Sequence, residues 1–159
     1  MTLRVHVLAV GRTRRGRRRD GPESALFASY AQRITPPPVL REIAHESALG
    51  AGEARVREGK SLLGAVPESA RVVALDEGGR TLSSEALARQ LERWQDQGAR
   101  DVAFVIGGPA GLDAAVTLRA DLVLSLGPMT WPHLLVRGLI AEQIYRAQSI
   151  LSGHPYHRA

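Results

Sequence analysis

The chain has 159 residues, 44% hydrophobic and 23% charged, which fits one globular domain and excludes a fibre or a disordered tail. It has no cysteine, so thiol catalysis, disulfide frameworks and cysteine-ligated zinc are excluded. The formal net charge is +5, yet residues 1–20 hold seven arginines against one aspartate, so the basic character is local and the remainder of the chain is slightly acidic.

Taken in order, residues 3–10 read as a strand. Residues 11–21 form an Arg-rich loop carrying Arg12, Arg14, Arg15, Arg17, Arg18 and Arg19. Such clustering is expected of a surface that meets polyanion phosphates, the bland alternative being a solvated loop. Pro22 opens a helix with an apolar stripe of Leu26, Phe27, Tyr30, Ala31 and Ile34, and three prolines at 36–38 stop it. Residues 39–43 read as a weak strand, 52–65 as a helix and 71–75 as a β-branched strand. Ser83 or Ser84 caps a helix carrying Leu87, Leu91 and Trp94, with Gly98 past its end. Residues 102–106 are the clearest buried strand. A short helix near 112–119, a strand over 122–126 and a long helix over 133–152 follow, ended by Gly153 ahead of a tail over 154–159.

Five strands alternating with helices predict one α/β domain with a largely parallel sheet. Ligands of such sheets sit at the carboxyl ends of the strands, in the loops that follow. Three loops there are rich in glycine and proline, over residues 76–79, 107–111 and 127–132. If their strands are neighbours, they form one pocket. In the last helix 11 of the 18 positions from 134 to 151 are apolar or Tyr, wider than the stripe of a helix exposed on one side. That predicts either burial in the middle of the domain or a partner subunit, and a homodimer is expected.

No stretch reaches the ~18 apolar residues of a membrane span. The apolar run at 3–10 precedes the positive cluster, the reverse of a secretory leader, so a cytoplasmic location is expected. Residues 11–18 have the glycine spacing of a phosphate-binding loop but lack its Lys and Ser/Thr, and 107–111 is not the dinucleotide-binding pattern. No metal-ligand spacing is present, and no metal is expected. The histidines nearest the predicted pocket are His133, His154 and His157. The tail residues His154, Tyr156, His157 and Arg158 offer donors and a flat ring suited to RNA, or are plain solvated residues.

The segments FVIGGPAGL at 104–112, LGPMTWPH at 126–133, AEQIYRA at 141–147 and HPYHR at 154–158 resemble the ribosomal large-subunit methyltransferase H family of the SPOUT methyltransferases. VLAVG at 7–11, LD at 75–76 and LSSE at 82–85 match as well, so the resemblance spans nearly the whole chain. It implies a SPOUT-type sheet with helices on both faces and a trefoil knot over about residues 101–153, in a homodimer. It implies S-adenosylmethionine held by Leu75, Gly108, Gly127, Pro128, Met129, Thr130, Trp131 and Pro132. The implied activity is methylation of N3 of a pseudouridine in 23S rRNA within the assembled ribosome. Relatives often carry Glu or another polar residue where this chain has Ala110, its Arg-rich segment is richer, and the segment between its second and third strands is shorter.

In that chemistry the ring N3–H must be lost for its lone pair to attack. The acceptor candidates are His133, His154 and His157, with Arg158 as a positive field and Tyr156 beside them. Two other readings stay open: a ribosome-binding protein without catalysis, and a small flavodoxin-like enzyme that binds a phosphorylated metabolite at 107–111.

Overall fold

The computed structural model describes residues 1–12 and 21–158, so Arg14, Arg15, Arg17, Arg18 and Arg19 of the expected RNA-binding cluster lie outside the described residues. In chain order the elements are β1 (Arg4–Val10), α1 (Pro22–Ala31), β2 (Val39–Ile43), α2 (Ala51–Ala65), β3 (Arg71–Thr81), α3 (Ser84–Asp96), β4 (Asp101–Ile106), α4 (Ala114–Arg119), β5 (Leu122–Ser125) and α5 (His133–Ser152). The strands form one sheet in the order β2-β1-β4-β3-β5, and each paired neighbour is parallel.

All six residues of β4 are buried, as a continuous apolar run must be when helices cover both faces of a sheet. Alternation along the strands divides the core in two. Val5, Val7, Val102, Phe104 and Ile106 face α3 and α5, where Leu87, Leu91, Trp94, Ile140 and Ile144 meet them. Leu8, Val10, Ala103 and Val105 face the other way, toward Leu62 of α2 and Val116 of α4.

The helix ends follow from local chemistry. The Ser83 hydroxyl accepts the Ala86 N–H at 3.1 Å and caps α3, and Asp113 does the same for Ala115 at 3.2 Å ahead of α4. α5 ends where Gly153 turns left-handed at φ 72°, as residue 153 was expected to do. Its broad apolar surface packs on the sheet and against two helices, α1 and α3. At Gly138 the approach of α1 is so close that a Cβ would lie 2.6 Å from Leu26 Cδ2.

Two details differ from expectation: α1 ends at Ala31, so that Ile34 joins the core from the turn beyond the helix, and β3 runs on past residue 75. β3 does not end at Leu75 but bulges at 76–79 and resumes, so that Leu124 of β5 pairs with both Leu75 and Arg80. The resumption requires a glycine: a Cβ on Gly79 would sit 2.6 Å from the Val123 carbonyl oxygen. No helix among the described residues is long and apolar enough to cross a membrane.

Candidate functional site

Because β4, β3 and β5 are adjacent, the loops leaving their carboxyl ends converge on one cavity of about 400 Å³. Its walls are apolar: Leu75, Ile106, Leu112, Leu124, Leu126 and Val136. Gly107, Gly108, Pro109, Gly111 and Gly127 bring bare backbone to its edge, and Asp76, Glu77, Met129, Thr130, Trp131, Pro132 and His133 complete the lining. Of the residues expected to hold a cofactor, Leu75, Gly108, Gly127, Met129, Thr130, Trp131 and Pro132 are all here, while Pro128 stands in the same loop without lining the cavity. Met129 is 71% exposed and Trp131 41%, so large apolar side chains at the mouth face solvent.

Hydrogen bonds fix the walls to one another. The Ser125 hydroxyl, buried at the end of β5, lies 3.0 Å from the Glu77 carbonyl and 3.1 Å from that of Gly127, donating to one at a time, and accepts the Gly127 N–H at 3.1 Å. Thr130 donates to the Glu77 carboxylate at 3.3 Å across the mouth. The Asp76 carboxylate accepts the Gly78 N–H at 2.9 Å and so shapes the bulge of β3. Behind the glycine loop a Cβ on Gly108 would lie 2.7 Å from Val10 Cγ1, so this backbone is wedged between cavity and core.

His133, the first residue of α5, is the one candidate proton acceptor that lines the cavity. One turn later the buried Arg137 donates to Glu42 at 2.7 Å and to the Gly11 carbonyl at 2.6 Å. Sequence reasoning passed over Arg137, Glu42 and Ser125. A lone arginine inside the apolar run at 134–141 was the available signal, since a buried guanidinium requires partners.

The tail is placed elsewhere. Tyr156 stacks at 59° on Tyr145 with ring centroids 4.7 Å apart, lies under the Arg146 guanidinium, and donates its hydroxyl to Glu142 at 2.9 Å. Burial, together with hydrogen bonds to Tyr30 and Glu142, pushes the Tyr156 hydroxyl far above the usual phenol range, so it stays protonated. His157 contacts Glu85 at 2.8 Å. A backbone hydrogen bond within Glu85 and then this contact hold the Glu85 carboxyl below its ordinary value. His154 and Arg158 are exposed. None of these four residues lines the cavity of its own chain. Beside the cavity lies a second groove of about 540 Å³ bounded by α3, α5 and Glu142, and Trp131 and Gly127 border both. Arg12, the described member of the basic cluster, is exposed just beyond Gly11.

Comparison with known proteins agrees with this architecture. The family described as "Predicted SPOUT methyltransferase" matches residues 3–157. A protein of Paramagnetospirillum magneticum called ribosomal RNA large subunit methyltransferase H is 51% identical over 98% of this chain and 99% of its own length. One of the same name from Rhodospirillum centenum is 53% identical over 99% and 100%. Among solved structures, a methylase family protein of Haemophilus influenzae superposes with a TM-score of 0.53 at 10% identity, covering 100% of this chain and 72% of that one. A methyltransferase of Legionella pneumophila, in complex with S-adenosylmethionine, gives 0.50 at 11% identity over 92% and 67%. The structural likenesses carry the fold, the full-length identities carry the family, and this chain belongs to the SPOUT methyltransferases, among the ribosomal RNA large subunit methyltransferase H proteins.

Proposed function

We propose that this protein is an S-adenosylmethionine-dependent methyltransferase of large-subunit ribosomal RNA, acting on N3 of a pseudouridine in 23S rRNA of the assembled ribosome. The observation that carries the reading is the cavity that three loops build together, in a chain about half identical, end to end, to proteins named ribosomal RNA large subunit methyltransferase H. The residues present fit the cofactor. A concave site of this volume, largely apolar with a few convergent polar groups, suits a nucleoside-sized ligand. Leu75, Ile106 and Leu126 offer flat apolar contact, the backbone at 107–111 and 127 offers hydrogen bonds, and Asp76 and Glu77 lie at the mouth. When bound, S-adenosylmethionine supplies a methyl group already activated by positive sulfur.

What remains for the protein is alignment, exclusion of water and removal of one proton. The apolar walls exclude water. His133 is placed at the cavity wall to receive the N3 proton. The arginines at 12–19 hold the RNA by phosphate contacts, which position it without reading sequence. The tail groups His154, Tyr156, His157 and Arg158 do not line their own cavity, and in this reading they serve the cavity of a second protomer in a homodimer. A knotted path over about residues 101–153 and a cytoplasmic setting belong to the same proposal.

The test is calorimetric titration with S-adenosylmethionine, repeated with Gly108→Arg, followed by labelled methyl transfer to intact ribosomes. Saturable binding, lost in the variant because its side chain has no room beside Val10, is expected. A folded protein that binds no cofactor at about millimolar concentration would leave the non-catalytic ribosome-binding reading in its place.

A further inference from the structure

We infer that Arg137 is a positioning residue for His133, and that its partnership with Glu42 and Gly11 sets where the imidazole stands at the cavity wall. The inference rests on the methyltransferase reading above and deepens it. Arg137 and His133 are one helical turn apart on α5, so they share a face and stand one above the other. Both rest on Gly11. A Cβ built there would lie 3.1 Å from His133 Nε2 and 3.8 Å from an Arg137 terminal nitrogen. Gly11 itself has φ 102°, a backbone that side chains rarely adopt, and its N–H donates to the Ile43 carbonyl at 2.7 Å. The end of β1 is thus tied to the end of β2 and closed over by the first two turns of α5.

The guanidinium joins these pieces. One terminal nitrogen donates to the Glu42 carboxylate of β2 at 2.7 Å, and the other to the Gly11 carbonyl at 2.6 Å, with the Val10 carbonyl at 3.4 Å. A planar fork holds a carboxylate and a carbonyl from two nitrogens in one fixed geometry, which a compact ammonium on a flexible stem does not reproduce. Stability alone is a poor explanation for this arrangement. A buried ion pair roughly offsets its own desolvation cost, and here Nε of Arg137 is buried with no hydrogen-bond partner among the described residues. A well-packed apolar side chain would hold the helix at least as well. It would not tie the first two turns of α5 to the ends of β1 and β2 by directional bonds, and the first of those turns carries His133.

A positioning role predicts a particular pattern of coupling. Methyl transfer to unmethylated ribosomes is measured for the parent chain, Arg137→Lys, His133→Gln and the double variant, with S-adenosylmethionine affinity read separately by calorimetry. Arg137→Lys should lower kcat about tenfold while cofactor affinity stays within about twofold, because a misplaced acceptor costs rate and not ground-state binding. His133→Gln should lower kcat about a hundredfold, and the double variant should match it with no further loss. Glu42→Gln, which leaves Arg137 a neutral acceptor, is the milder probe should Arg137→Lys fail to fold, and it should likewise have no effect in the His133→Gln background. Losses that multiply in the double variant would overturn the inference, as would a cofactor affinity that falls while kcat holds. An inert His133→Gln would overturn it too, while leaving the cofactor reading standing. A parent chain that binds no S-adenosylmethionine would take both down.

Discussion

The two ends of the sheet treat their polar groups in opposite ways. At the amino ends of the strands the carboxylates are saturated from within the chain. Asp101 takes Arg4 at 2.8 Å and His6 at 2.7 Å, and Asp121 takes the Val72 N–H at 2.8 Å with Arg71 and Arg119 at 3.3 and 3.4 Å. At the carboxyl ends of β3, β4 and β5 the loops are held by backbone and hydroxyl contacts, while Asp76, Glu77, Met129 and Trp131 stand exposed around a cavity. Groups that satisfy one another stabilise the fold, and groups arranged around a cavity are available to a ligand. Substitutions at the carboxyl end should therefore change binding and rate, and those at the amino end should change stability.

The largest expected effect lies in the tail, which belongs to neither end. Removing the residues after Ser152 should cut methyl transfer to ribosomes by about a hundredfold or more, as loss of an acid–base or field group does. Cofactor affinity should stay within about twofold, since no described tail residue lines the chain's own cavity. Full methylation by the truncated protein would eliminate the tail from catalysis. Next in size is the basic cluster beyond Gly11. Replacing Arg14, Arg15, Arg17 and Arg18 with Ser should weaken ribosome binding and lower the slope of log affinity against log salt by about 3, at roughly 0.7 for each phosphate contact on single strands. Binding that is unchanged at every salt concentration would mark the cluster as a solvated loop.

Ser125 tests the carboxyl end more finely. Ser125→Ala strands the Gly127 N–H and frees the Glu77 carbonyl, both at cavity walls. A half-buried donor without an acceptor costs about 1 kcal/mol and lets the 127–132 loop shift at the cavity wall, so cofactor affinity should fall several-fold. An unchanged affinity with a lowered Tm would instead place Ser125 among the groups that only stabilise.

Much of this contrast is legible in the sequence, for reasons that differ from residue to residue. α5 shows both its ends, because Pro132 precedes its first turn and Gly153 supplies the left-handed cap. α3 shows its start at Ser83 and its buried face at Leu87, Leu91 and Trp94, since a cap and a 3.6-residue period are local. The three loops of the cavity stand out by their glycines and prolines. Their convergence does not, because it depends on β3 lying between β4 and β5, an order no local pattern carries. Arg137 escapes for the same reason: its partners at Gly11 and Glu42 are 126 and 95 residues away. The bulge of β3 looks like the end of a strand until β5 is present to pair with it twice. The tail reads as an RNA-facing segment, while its contacts with Glu85 and Glu142 depend on how α3 and α5 pack.

The smallest effect should come from the amino end, and there it should follow pH. Burial pushes the Asp101 carboxyl up, but hydrogen bonds from Arg4 and His6, with the positive charge of Arg4 beside them, outweigh it and hold the group below its ordinary value. A carboxyl whose value is lowered on folding contributes stability above its unfolded value of about 4, and that contribution is lost as pH falls through the lower folded value. Asp101→Asn should therefore lower Tm by about 3 °C at neutral pH. The gap between variant and parent should narrow at about pH 3, because the parent is then losing the same charge. Cofactor affinity should not change, since Asp101 stands at the opposite end of β4 from the glycine loop. A gap of equal size at both pH values would assign the effect to the shape of the hydrogen bonds instead of the charge. A loss of cofactor affinity would mean that the two ends of the sheet are coupled through β4, and the division of labour between them would fail.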